Sequence, residues 1–437
     1  MVAGGESKPR MWPRVYVYDL PVFWDEERFT LRDMRPSVEK KRLRVQHDVE
    51  KRIFGHRCEG FDESKTSMFT VVEILLWRVL RSPLYYEPDP SLADLFFVPI
   101  WPRDKNEPGW LDVCSRDVNF HVEHHLKHFT EANAHRHFFV VAKGHTKPKL
   151  NCDAWWKKPR GLLQRAMRFA YSEDFSELSN KGGYGPLRFD DDYIANELAP
   201  DALEDGDVFF PHLVSIPYPS SVHAEKFDNA HFHRVHYHKR RIFTSFIGSD
   251  HTLGNASGKY AMARAKLMRD CLKRRETCSC FRTDHHMLQC GQLVEEYANA
   301  TFCFQPGGDS PYRKGLYDAL ALGCIPVVFG LYETRVSPWH FWTGHRQNSM
   351  VVINETAYLR GEIDVFDHLL SISDTSIRKM QAIIAQNAHR LQYAYYDFPD
   401  DAVDIILRGA WHMAKLRDAI YHAQATRAGK PRPRHYS

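Results

Sequence analysis

Between Thr301 and Phe329 the chain sets two glycines, an acid, a serine and two cations close together: Gly307, Gly308, Asp309, Ser310, Arg313 and Lys314, with Asp318 one helical turn further on. Backbone N–H groups at Gly307 to Ser310, placed where a helix begins, would share the positive end of the helix dipole and can receive phosphate oxygens. Arg313 can grip a diphosphate through two parallel hydrogen bonds, while Lys314 supplies a point charge. Both suit a leaving group that gains negative charge. Asp318 is placed to accept hydrogen bonds from ribose hydroxyls. A plainer reading stands beside this one: Lys314 and Asp318 form a surface ion pair at i,i+4, and the glycines only turn the chain. A glycine-rich strand-to-helix turn alone is a weak signal.

Such a site needs a strand before it and a helix after it. The apolar run 300–305 predicts the strand, 312–322 the helix and 325–329 a second strand. Asp309 or Ser310 can cap the helix with Pro311 in its first turn, and Gly323 suits a left-handed helix end that Pro326 prevents from continuing. Upstream, Arg14 to Pro21 reads as a strand closed by a proline, 67–81 as a helix, and 89–101 and 136–142 as further continuous apolar strands. Strands apolar on both faces and separated by helices imply a parallel α/β sheet. The same grammar restarts at Arg240 to Gly248, after a polar, histidine-rich stretch from Val222 to Lys239, and continues with a helix near 258–274. The boundary between two units is placed there. The run His231 to His238 reads as linker. An amphipathic segment at 402–425 precedes a basic, proline-containing tail.

A chain of 437 residues exceeds what one core usually organises, so two domains are expected. The charge of +4, from 59 basic and 55 acidic residues, is too balanced for binding that rests on neutralising nucleic-acid phosphates. Nine cysteines leave at least one thiol free or paired between chains. The four from Cys271 to Cys290 do not match a zinc ribbon, and a local disulfide is the better reading. Three sequons, at Asn255, Asn299 and Asn354, fit a lumenal protein. No run of eighteen apolar residues and no signal-peptide core appears in the sequence as written. The expectation is a soluble protein, or a sequence that starts downstream of an anchor.

The segment resembles the signature of the exostosin-like glycosyltransferases, carbohydrate-active family 47, and within it the plant-type branch containing xyloglucan galactosyltransferases. That branch reads F-C-L-Q-P-x-G-D-S-x-x-R-R-x-x-F-D-x-x-x-x-G-C-I-P-V. Phe302, Cys303, Gln305, Pro306, Gly308, Asp309, Ser310, Arg313, Asp318, Gly323, Cys324, Ile325, Pro326 and Val327 match, while Phe304, Lys314 and Tyr317 differ. The runs Val15 to Pro21, Ser91 to Pro99, Ile216 to Pro219 and Ile242 to Gly248 extend the resemblance over roughly 14–400. It implies a GT-B architecture of two Rossmann-like domains facing across a cleft, an acceptor domain at 14–230 and a nucleotide-sugar domain at 231–400; the flanks read as a disordered N-terminus at 1–13, a helix at 401–425 and a disordered tail at 426–437.

The resemblance further implies sugar transfer with inversion, without an essential metal or other cofactor, from a nucleotide-sugar donor of the UDP class to a glycan or glycoprotein acceptor. It implies a Golgi lumen location, an anchor that this sequence lacks, and room for a homo- or heterodimer. Gly248, after the first strand of the second unit, would let backbone approach the phosphates, or serve as a tight turn. Inversion needs a general base on a loop of the first unit. The candidates are Asp19, Asp104 and His145, the last with a suitable intrinsic pKa but one of 25 histidines. The alternative is a non-catalytic exostosin-like subunit or scaffold. A dehydrogenase is disfavoured, since no Gly-x-Gly-x-x-Gly occurs.

Overall fold

Short, largely buried strands, with helices between them, build two parallel sheets in the computed structural model. The structure describes residues 11–18, 62–63, 70–99, 126–141, 165–170, 213–220, 222–223, 240–248, 261–282, 292–307, 313–330, 346–394 and 396–427. In chain order the first unit holds β1 (Val15–Val17), β2 (Asp62–Glu63), α1 (Thr70–Arg81), β3 (Leu95–Phe97), β4 (His137–Val141), β5 (Met167–Ala170), β6 (Leu213–Ser215) and β7 (Val222–His223). The second holds β8 (Ile242–Gly248), α2 (Ala261–Lys273), β9 (Cys278–Arg282), α3 (Gln292–Asn299), β10 (Ala300–Gln305), α4 (Lys314–Ala321), β11 (Ile325–Phe329) and β12 (Val351–Ile353). Then come α5 (Glu355–Arg360), α6 (Val365–Leu370), α7 (Asp374–Asn387) and the terminal α8 (Ala402–Arg427).

The first sheet runs β1-β3-β4-β5-β6 and the second β12-β11-β10-β8-β9, every pairing within them parallel. Strands β2 and β7 form a separate antiparallel pair. The two α/β units expected of a GT-B architecture are thus present. The long apolar segment 89–101 yields only a three-residue strand, because Pro90 cannot donate to a ladder and Asp89 turns the chain by accepting from Ser91 N at 2.8 Å. The cysteine-rich 278–282 is an edge strand rather than loop, and Cys271 bonds Cys278 at its start.

Helix α1 buries Val71, Val72, Ile74, Leu75, Leu76 and Val79 against the first sheet. One apolar cluster runs on from there to Phe302, Phe329 and Phe366 of the second unit and to Ala402–Ala414 of α8. The terminal helix returns to the first unit. Asp404 accepts from Trp12 Nε1 at 3.1 Å and from Tyr85 Oη at 2.9 Å, while Asp418 binds His135 at 2.7 Å and Arg136 at 2.8 Å. Arg78 of α1, fully buried, donates to Asp401 at 2.8 Å and to the Ala394 carbonyl at 2.6 Å. Among the described residues no helix is long and apolar enough to cross a membrane.

Candidate functional site

Strands β8 and β10 are neighbours, yet the chain leaves β8 for β9 on one side and later returns to β10 on the other. Connections that depart in opposite directions open a crevice at the carboxyl ends of the two strands, where open α/β sheets bind ligands. Gly248 ends β8 and Gly307 lies two residues beyond β10, so both sit at this switch. A side chain at 248 would be crowded by the strand's own core residue: a Cβ there would stand 3.0 Å from the buried Phe246 ring. The described strands of the first sheet follow one another in order and have no such switch.

The helix after β10 begins at Lys314, later than Asp309 or Ser310 capping would place it. Arg313 occupies the N-cap with extended backbone (φ −120°, ψ 164°), and its own side chain makes no cap bond to the first-turn N–H groups. Gly323 closes the helix at φ 69° as its position suggested. Gly315 lets α4 lie close to β10, since a Cβ would fall 2.7 Å from Gln305 Oε1. Gln305 Nε2 in turn donates to Tyr297 Oη at 3.1 Å.

Two features missed in the sequence fix the far end of α4. The Arg240 guanidinium donates to the carbonyls of Tyr297 (2.9 Å), Ala300 (2.8 Å) and Leu322 (2.9 Å), a cation at the C-terminal ends of α3 and α4. Burial pulls it down to about 10, still charged at neutral pH. The Cys303–Cys324 disulfide then ties β10 to the residue leading into β11, closing the loop that contains α4.

Asp318 is 1% exposed and both its oxygens are engaged: Ser220 Oγ donates to Oδ1 at 2.7 Å and Lys314 Nζ to Oδ2 at 2.7 Å. Each oxygen keeps a further lone pair beyond these two bonds. The Lys314–Asp318 ion pair is present, buried on its acidic side, and Ser220 fastens it to the segment following β6. Nearby, Tyr218 stacks on Tyr317 at 6.4 Å and Tyr393 Oη donates to the Pro217 carbonyl at 2.6 Å. The Ile216-to-Pro219 run carried a signal for this contact; Ser220 and Arg240 carried none.

The exostosin GT47 domain matches residues 11–350. The chain belongs to the exostosin GT47 family. It is 24% identical to the Arabidopsis thaliana xyloglucan-specific galacturonosyltransferase 1 over 82% of this chain and 50% of that protein. It is 24% identical to the probable xyloglucan galactosyltransferase GT20 over 85% and 61%, and 22% identical to GT17 over 92% and 83%, both also from Arabidopsis thaliana. The exostosin GT47 chain thus spans about half the length of the first of these relatives. Solved structures resembling it include the GtfA/B complex and S. aureus TarM, at 10% and 9% identity, each with a TM-score of 0.34, covering 65% and 67% of this chain and 57% of each of those. At that level they add nothing to the family assignment.

Within this GT47 chain, Gly248, Gly307, Arg313 and Lys314 are described at the β8/β10 edge, whereas Gly308, Asp309 and Ser310 lie outside the described residues. Asp19, Asp104 and His145 lie outside them too, each downstream of the carboxyl end of a first-sheet strand: β1, β3 and β4. The His231 to His238 run is likewise outside. His137, in β4, is a histidine of a different kind. Its Nδ1–H donates to the Asn133 carbonyl at 2.9 Å, so Nε2 accepts from Tyr18 Oη at 2.8 Å, and the ring stacks on Phe96 at 4.5 Å. Burial pulls its imidazole down to about 3, which suits a packing element and not a proton carrier.

Proposed function

We propose that this GT47 chain is an inverting glycosyltransferase that moves a sugar from a nucleotide-sugar, of the UDP class, to a hydroxyl of a glycan or glycoprotein. The observation that carries the reading is the convergence of Gly248 and the Gly307–Lys314 motif at the β8/β10 switch. The donor diphosphate would lie across that crevice against the first-turn amides of α4, with Arg313 and Lys314 offsetting the charge that builds as the C1–O bond breaks. Charge stabilisation of this kind needs no metal or other cofactor. Asp19, Asp104 or His145 would take the proton of the acceptor hydroxyl as it attacks from the opposite face.

The secretory lumen, and the Golgi within it, is the compartment we propose. Cys271–Cys278 and Cys303–Cys324 support it, because disulfides persist in oxidising compartments. The named activities of the Arabidopsis relatives support a plant-type polysaccharide acceptor. The test incubates the purified chain with a panel of UDP-sugars and follows UDP release and the shift in melting temperature, with Arg313→Ala alongside. One donor should stabilise the wild type by mass action and lose at least tenfold in affinity in the variant. A panel in which no donor binds refutes the donor site. Donor binding without sugar transfer to any glycan would favour the scaffold reading.

A further inference from the structure

The geometry points to Asn354 as an N-glycan attachment site, and to Asn299 as a sequon that the folded protein leaves bare. Both asparagines satisfy the triplet, through Thr356 and Thr301. Oligosaccharide transfer precedes folding, so the fold decides which glycosylated chains reach the native state. In transfer from a lipid-linked diphosphate, the bond from Nδ2 to the sugar C1 forms, the C1–O bond to the diphosphate breaks, Nδ2 gives up one proton and the lipid diphosphate departs. What the native state must tolerate is therefore a sugar on one particular nitrogen.

At Asn354 the two ends of the amide have separate duties. Oδ1 caps α5 by accepting from Ala357 N at 3.0 Å, while Nδ2 has no partner among the described residues and the side chain is exposed, as is Thr356. A glycan on Nδ2 leaves the cap intact. At Asn299 it is Nδ2 that is used: it donates to the Glu295 carbonyl at 2.8 Å at the end of α3, between Ala298 and Ala300, which are 7% and 0% exposed. A sugar there would compete with that bond at the entry to β10. Asn354 follows the edge strand β12, two strand positions from β10, roughly 10 Å along the sheet.

The inference rests on the secretory compartment proposed above, so the test supplies that compartment directly. The full chain is expressed behind a cleavable leader in plant cells, the secreted folded fraction is collected, and occupancy is read at each asparagine by glycopeptide mass spectrometry. Asn354 should be glycosylated in most molecules and Asn299 in almost none. Asn354→Asp, which keeps the capping oxygen, and Thr356→Ala, which keeps the whole asparagine, should each remove one glycan from the mobility shift without loss of secretion. An unmodified Asn354 in secreted protein, or equal occupancy at Asn299, overturns the inference. Glycosylation is read without reference to sugar transfer, so a glycosylated chain that binds no UDP-sugar counts against the proposed enzyme alone.

Discussion

Replacing His137 by phenylalanine should flatten the acid side of the stability profile. In the folded chain the imidazole is neutral, because burial, with minor repulsion from His135 and His128, pulls it from 6.5 to about 3. Once unfolded it returns to its ordinary value. Between those two pH values the unfolded state holds a proton that the folded state refuses, so this residue makes stability rise with pH, and its contribution is lost as pH falls below 6.5. The slope is about 1.4 kcal/mol per pH unit once the unfolded histidine is charged, which amounts to about 2 kcal/mol between pH 6.5 and roughly pH 4.5. Phenylalanine keeps the stack on Phe96 but strands the Tyr18 hydroxyl and the Asn133 carbonyl, so the variant should start about 2 kcal/mol less stable at neutral pH. Urea unfolding followed from pH 7 to about pH 4.5 separates the two effects: the offset reports the lost hydrogen bonds and the change in slope reports the proton. Parallel wild-type and variant profiles would show that the folded imidazole titrates normally, and the reasoning would fail.

Three other outcomes follow from the α4 region. Asp318→Asn should lower stability by about 2 kcal/mol, since Ser220 and Lys314 both address that buried carboxylate; Ser220→Ala combined with it should cost less than the sum of the singles in a double-mutant cycle. Exchanging both Cys303 and Cys324 for alanine should cost about 3 kcal/mol by chain entropy for a bridge spanning 21 residues, seen as a lower urea midpoint. Arg240→Ala should destabilise by about 3 kcal/mol, because it exposes three carbonyls to an unfilled site, and should weaken UDP binding through displacement of α4; an unchanged UDP affinity would separate Arg240 from the crevice.

The strands around the motif were legible almost to the residue: 300–305 and 325–329 are continuous apolar runs punctuated by Gly307, Gly323 and Pro326. The start of α4 was not, because the capping rule pointed to Asp309 or Ser310 while the extended backbone of Arg313 delays the helix to Lys314. Strands β5, β6 and β12 hold only three or four residues each, too few to show a period. The harder losses are of another kind. Lys314 and Asp318 show their pairing at i,i+4, but Ser220, which buries it, lies 98 residues away, and Arg240 reaches Leu322 across 82. Nothing in local sequence encodes such partners; only the sheet order brings them together.

The return of α8 to the first unit sets the timetable of folding during synthesis. Residues 242–353 can pair their sheet, bond Cys303 to Cys324 and close α4 while Asp404 and Asp418 have yet to be made. The first unit, translated earlier, must hold Arg78, Tyr85 and His135 ready until Asp401, Asp404 and Asp418 arrive. The half that leaves the ribosome first is therefore the half that finishes last, and its unfinished face is what a chaperone would meet.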